Sequence, residues 1–259
     1  EGDAAVVRFP GSRVMLIDGG GAFRRTFDPG ERIVAPFLWS QKIMHVDYVA
    51  VSHPDHDHFA GLIFIARNFA PSQFWTSGTD SPDDSYSQLL EAMQQTGAHS
   101  AICNSASVAM TIGGVGVRCV WPIAGAAEPK ENNSSMVVRL SYGRDALLFP
   151  GDLEAKGERE LIASGADLRG TILKVPHHGS HTSSTAELIA AVHPAVAVIS
   201  LGYHNRFHFP ADEVLQRYRD AGVTVLRTDE DGAISADVRL DSIRLRSFRF
   251  GEVPLNEKR

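Results

Sequence analysis

The stretch that decides the reading is Tyr48-Val49-Ala50-Val51-Ser52-His53-Pro54-Asp55-His56-Asp57-His58. Its first four residues form a short, nearly all-apolar run, the pattern of a strand buried on both faces. The six positions that follow Ser52 hold three histidines and two aspartates. Imidazole and carboxylate are the usual ligands of hydrolytic divalent metals. A tight loop can aim alternate side chains, His53 and Asp55, at one ion and turn Asp57 and His58 to a second. His56 points the other way in such a loop and suits a supporting role. A lone His or Asp in a polar loop, or Asp57 as a helix cap, would carry no such meaning; six positions of this composition do.

Three more clusters of the same residue types follow apolar runs. They are Asp18-Gly19-Gly20, Pro150-Gly151-Asp152 and Pro176-His177-His178-Gly179. In layered α/β folds, sites assemble at the ends of strands, so four such clusters point to one site. Strands are predicted over residues 5–9, 13–17, 48–51, 136–140, 146–149, 171–175, 195–200, 223–227, 233–238 and 243–248. Helices are predicted over 33–44, 62–68, 86–96, 154–163, 185–192 and 212–221. The alternation, with hairpins at the ends, argues for sheet buried under helices. No repeat, low-complexity tract or linker divides the chain, so residues 1–259 are expected to form a single domain.

The 259 residues carry 43% hydrophobic and 22% charged side chains and a formal net charge of −6. No run of Lys and Arg marks a nucleic-acid groove, which counts against tight autonomous DNA binding. A phosphodiester held by bound metal stays open. No stretch approaches the ~20 apolar residues of a membrane span, and no signal peptide opens the chain. The abrupt start at Glu1-Gly2-Asp3 reads as a piece cut from a longer protein. Cys103 and Cys119 could pair, but burial as small apolar residues is the reading preferred from sequence. Phe37, Trp39, Phe64 and Phe69 fit core packing better than base stacking.

These motifs together resemble the metallo-β-lactamase superfamily, whose HxHxDH signature here reads His53-x-Asp55-x-Asp57-His58. Within it the chain looks like the soluble domain of the ComEC family of DNA-uptake channel proteins. The resemblance rests on Gly2-Asp3-Ala4, Leu16-Ile17-Asp18-Gly19-Gly20, Ser52 through Leu62, Asn132 through Val137, Gly151-Asp152-Leu153-Glu154, Leu173 through Ser180, Asn205 through Pro210, and Thr228-Asp229 with Gly232-Ala233.

The resemblance implies a four-layer αββα sandwich and two divalent metal ions (Mn²⁺, Zn²⁺ or Mg²⁺), with no small organic cofactor. In that reading His53 and Asp55 hold the first ion. Asp57, His58 and His178 hold the second, and Asp152 bridges. Asp57 and His177 are the catalytic candidates, His177 facing substrate as hydrogen-bond donor or general acid, although either member of the His177-His178 pair could ligate. Asp18, as an orienting group or as turn chemistry, and Ser180, Asn205 and His208 are candidate supporting or substrate contacts. Lys174 could face the site or solvent.

The function implied is a metal-dependent hydrolase, a nuclease that degrades the non-imported DNA strand during natural transformation. Its partners would be single- or double-stranded DNA and the membrane channel portion of the same protein. Its place would be the inner (plasma) membrane, on the periplasmic or extracellular face. The alternatives are another hydrolase of the same fold, acting on a small phosphodiester, a phosphocholine ester, a β-lactam or a lactone, or a non-catalytic metal-stabilised domain. Three departures stand out. The third motif, Glu131-Asn132-Asn133-Ser134-Ser135, lacks its histidine, whose place Glu131, an Asn carbonyl or water could take. Asp55 replaces a second histidine, which hardens the first site toward Mn²⁺ or Mg²⁺. The His-Pro pair is split at Phe207-His208-Phe209-Pro210.

Overall fold

A computed structural model describes residues 2–22, 27–125 and 131–255, with the backbone path alone at Glu131. The first sheet contains β1 (Ala5–Arg8), β2 (Val14–Ile17), β3 (Tyr48–Val51), β4 (Gln73–Thr76) and β5 (His99–Ile102) in that order. β1 and β2 form the antiparallel hairpin read at Pro10-Gly11-Ser12, and the other pairs are parallel. The second sheet contains β6 (Ala109–Ile112), β7 (Val115–Trp121), β8 (Val137–Tyr142), β9 (Asp145–Phe149), β10 (Ile172–Lys174), β11 (Val196–Ile199) and β12 (Thr224–Arg227). It is antiparallel from β6 to β9 and parallel from β9 to β12. A small antiparallel sheet of β13 (Ile234–Val238), β14 (Ile243–Ser247) and β15 (Gly251–Val253) follows.

Helices cover the outer faces. They are α1 (Ala35–Ser40), α2 (His56–Phe59), α3 (Leu62–Phe69) and α4 (Asp84–Thr96), then α5 (Ala155–Ala163), α6 (Ala186–Val192) and α7 (Asp212–Asp220). Period-two alternation sorts each strand between two cores. Leu16, Val49, Val51 and Phe74 pack outward on Leu38, Leu62, Ile65, Phe69, Leu89 and Met93. Met15, Ile17, Ala50 and Trp75 face inward on Val117, Val138 and Leu140. On the far side Leu148, Leu173, Ala197 and Ile199 meet Leu161, Leu188, Val192, Val214 and Tyr218. The result is helix, sheet, sheet, helix: the four-layer αββα sandwich. The third sheet adds Leu245 to Ile172, Val196 and Leu226.

Three features differ from the sequence reading. β4 to β7 and β15 were not foreseen. The helix expected over 33–44 shrinks to Ala35–Ser40 behind a π turn at Gly30–Val34, and Lys42 beyond it adopts a left-handed φ of 59°. Cys103, just past β5, and Cys119, in β7, are buried as expected but also form a disulfide that links the two sheets. No described helix is long and apolar enough to cross a membrane.

Candidate metal centre

The site lies where β2, β3, β9 and β10 end. After β3 the chain bends at Ser52, His53 and Pro54, is extended at Asp55 (φ −91°, ψ 144°) and then closes the single helical turn α2. This brings the His53 and His58 rings to 4.2 Å between centroids. His56 turns outward, its Nδ1 3.3 Å from Asp83 Oδ2. Backbone from the glycine turn and the N-terminal segment packs on this loop. A Cβ on Gly21 would collide with the Asp57 backbone, and one on Gly61 with the Gly19 carbonyl. Asp3 donates its N–H to the Asp57 carbonyl at 3.3 Å and accepts from Gly20 N–H at 2.6 Å.

After β10 the route is different. His177, His178 and Gly179 are successively left-handed, with φ of 47°, 52° and 78°. For a non-glycine residue this conformation costs roughly 1–2 kcal/mol, so the surroundings must hold it. The His177 N–H donates to the Gly151 carbonyl at 3.2 Å, and the Ser180 N–H to the His177 carbonyl at 2.8 Å. His178 therefore points inward, 5.4 Å from the His58 ring, while His177 stands nearer the mouth, about one-fifth exposed.

Each inward histidine has its Nδ1 next to an oxygen. His53 Nδ1 is 3.1 Å from Ser52 Oγ, His58 Nδ1 is 2.9 Å from Asp18 Oδ2, and His178 Nδ1 is 2.9 Å from the Ser200 carbonyl. A proton held at Nδ1 by such an acceptor leaves the Nε2 lone pair free. The Nε2 atoms of all three are buried and have no hydrogen-bond partner, and neither do Asp152 Oδ1 and Asp3 Oδ1. Unpaired buried polar atoms are costly, and these are all of ligand type. One ligand atom each from Asp3, His58, Asp152 and His178 falls within 4.8 Å of the others. The donor set fits a divalent cation.

Charge follows the same geometry. Burial alone would push Asp152 up, but His58 and His178 outweigh it and hold its carboxyl well below the usual range. Burial would lower His58, yet Asp152 and Asp18 raise it well above an ordinary histidine. His178 is raised against burial by Asp152 and Asp3. For Asp57 burial acts upward, and the close approach of His178, with His58 nearby, carries it below the usual range. Burial lowers His177 despite Asp152.

Of the residues singled out from sequence, His58, Asp152 and His178 converge directly. Asp57 Oδ2 stands 3.5 Å from His178 Nε2, and Asp55 Oδ2 3.4 Å from His53 Nε2, with both carboxylates part-exposed. Asp18 also accepts the Ser52 N–H at 2.7 Å. Ser180 is buried and engaged with Thr182 Oγ1 at 3.1 Å. Asn205 closes its own loop, giving to the Phe209 carbonyl at 2.7 Å and accepting the Phe209 N–H at 2.9 Å. His208 is exposed on that loop.

Sequence reasoning missed Asp3 and Glu154 as site residues and left Lys174 open. Lys174 is largely but not fully buried; its ammonium pairs with Asp3 and lies 3.6 Å from Asp152 Oδ1. Glu154 Oε1 is 3.4 Å from His177 Nδ1. In the third motif, Asn132 Nδ2 lies 3.5 Å from His177 Nε2. The Glu131 side chain, one candidate to replace the missing histidine, lies outside the described residues.

The family model described as the metallo-β-lactamase superfamily matches residues 1–83 and 124–204. ComE operon protein 3 of Bacillus subtilis is 29% identical over 245 residues, covering 90% of this chain and 31% of that protein. Competence protein ComA of Neisseria gonorrhoeae is 40% identical over 124 residues, 46% of this chain and 18% of that one. The chain thus spans about a third or less of these relatives. Among solved structures, the metallo hydrolase Igni18 of Ignicoccus hospitalis superposes with a TM-score of 0.54 at 15% identity, covering 95% of this chain and 99% of that one. With the αββα layers, a cation-ready cluster at the strand ends and a family match over more than half its length, this chain belongs to the metallo-β-lactamase superfamily and is related to competence proteins.

Proposed function

We propose that this metal-dependent hydrolase is a phosphodiesterase acting on DNA, and that in its natural setting it degrades the strand that is not imported during transformation. The observation that carries the reading is the set of three histidines whose Nδ1 is engaged and whose buried Nε2 makes no hydrogen bond, two of them, His58 and His178, with Nε2 3.2 and 3.5 Å from Asp152 Oδ2. Divalent ions held here would supply an activated water and positive charge against the phosphate oxygens. His53 and Asp55 are assigned to one ion. Asp57, His58 and His178 are assigned to the other, with Asp152 shared and Asp3 as an added carboxylate. Asp18, Ser52 and the Ser200 carbonyl fix the imidazole tautomers. His177, at the mouth, is assigned to donate a hydrogen bond to the leaving oxygen, with Glu154 beside its ring.

The relationship to competence proteins favours DNA as substrate, and the net charge of −6 fits a phosphodiester held by metal. Residues 1–259 are read as one domain of a larger membrane protein whose channel portion delivers the DNA. The disulfide favours an oxidising compartment, hence the outer face of the plasma membrane.

The test is cleavage of single- and double-stranded DNA by metal-stripped protein refilled with Mn²⁺, Mg²⁺ or Zn²⁺, beside Asp57→Ala. Metal-dependent cleavage that the variant loses is expected. Folded, metal-loaded protein that cuts neither DNA overturns the reading, and zinc-supported hydrolysis of a β-lactam or lactone instead would put an acyl substrate in its place.

A further inference from the structure

Beside the metal centre, residues 202–209 form a loop that carries aromatic rings on its surface. Tyr203 is 76% exposed and Phe207 54% exposed. The rings stand in order. His177 meets Phe209 at 6.0 Å, edge to face, and Phe209 stacks on Phe207 at 5.6 Å with 19° between planes. The Arg206 guanidinium lies 5.0 Å from the Phe207 centroid. A ladder of rings thus runs from the mouth of the site outward and ends in a half-exposed ring that the Arg206 guanidinium overlies in part.

The loop is also held in place. Asn205 brackets it with both amide groups on Phe209. Leu201 N–H donates to Thr228 Oγ1 at 2.7 Å. The Ala211 N–H donates to the Gly179 carbonyl at 2.9 Å, and Gly179, having no side chain, lets Pro210 close against the histidine turn. Large exposed rings fixed by this many bonds gain nothing from burial, so the core does not explain them.

We propose that this loop is a stacking platform for an unpaired nucleobase, which makes single-stranded nucleic acid the substrate class of the adjoining site. The proposal rests on the phosphodiesterase reading above. A base seated on the exposed part of Phe207 would extend the line of rings that leads to His177, with the Arg206 guanidinium close by. Bases in a duplex are already stacked on each other and offer no face to the platform. Stacking also explains how a chain of net charge −6 without a basic groove could hold a nucleic acid.

The experiment uses the whole chain loaded with Ca²⁺ and follows fluorescence anisotropy of three labelled DNAs: a single strand, the same backbone lacking its bases, and the duplex. The base-bearing single strand should bind tightest, and Phe207→Ala should weaken it by roughly 5- to 100-fold. Phe207→Trp should restore it. Arg206→Ala should weaken the base-bearing and abasic strands alike. Equal affinity for base-bearing and abasic strands, binding that Phe207→Ala leaves unchanged, or no binding of the single strand overturns the platform. Cleavage of the abasic strand in Mn²⁺ is scored separately: it bears only on the phosphodiesterase reading, so the two failures are told apart.

Discussion

At residues 52–58 the chain bends away from β3 and closes one right-handed turn, and His58 is aligned by Asp18, a side chain from the end of β2. At residues 176–179 it runs through three left-handed residues, and His178 is aligned by a main-chain carbonyl, that of Ser200. Both turns deliver a histidine to the same cluster. The first is held by a replaceable side chain, the second by backbone conformation. The first should therefore respond to substitution through its metal affinity, and the second through the stability of the fold.

The largest effect tests whether the turns are equal partners. His58→Ala and His178→Ala should each lower metal retention by at least about 100-fold, read as metal content after dialysis against a chelator. Unchanged retention in His178→Ala would remove the second turn from the centre. Next comes pH. In the metal-free protein His58 and His178 are both raised, so they carry protons that an incoming ion must displace. Affinity should rise with pH, by up to ~10-fold per unit for each proton released, and calorimetry in buffers of different ionisation enthalpy should detect the release. The same sign gives the metal-free protein a stability that is present below the ordinary histidine value and lost as pH rises through the raised ones.

Asp18→Asn comes third. It keeps an acceptor for Ser52 N–H but presents the wrong group to His58, and metal affinity should fall by ~10- to 100-fold with little change in Tm. Gly179→Ala is the counterpart in the second turn. Its Cβ would sit 2.7 Å from Pro210 Cβ at a φ of 78°. It should cost about 1–3 kcal/mol, a Tm drop of several degrees, with only a small change in metal affinity. Reversed phenotypes for these two variants would break the comparison.

Both turns were legible in the sequence because ligand residue types gather after apolar runs, and that pattern also named the fold. Asp3 was hard to see as a ligand candidate since it precedes the first strand and reaches the cluster only through backbone pairing with Gly20 and Asp57. Lys174 shares the inner face of β10 with Ile172, but a three-residue strand is too short to display alternation. β5 and β6 lie at sheet edges and are mostly exposed, so no period-two stripe marks them. Of the rings expected in the core, Phe69 is buried, while Phe37 and Trp39 are about half exposed. The exposed ladder lies instead at 207–209, where the sequence shows only a split His-Pro pair.

The bond from Ser200 Oγ to the Gly2 carbonyl joins residues 198 positions apart. Contacts of that span form late, because loop-closure entropy must be met before they contribute. Asp3 sits on the near side of this closure and His178 on the far side. The full cluster therefore comes into being only when both halves of the chain have docked, and tight metal binding should mark the last step of folding.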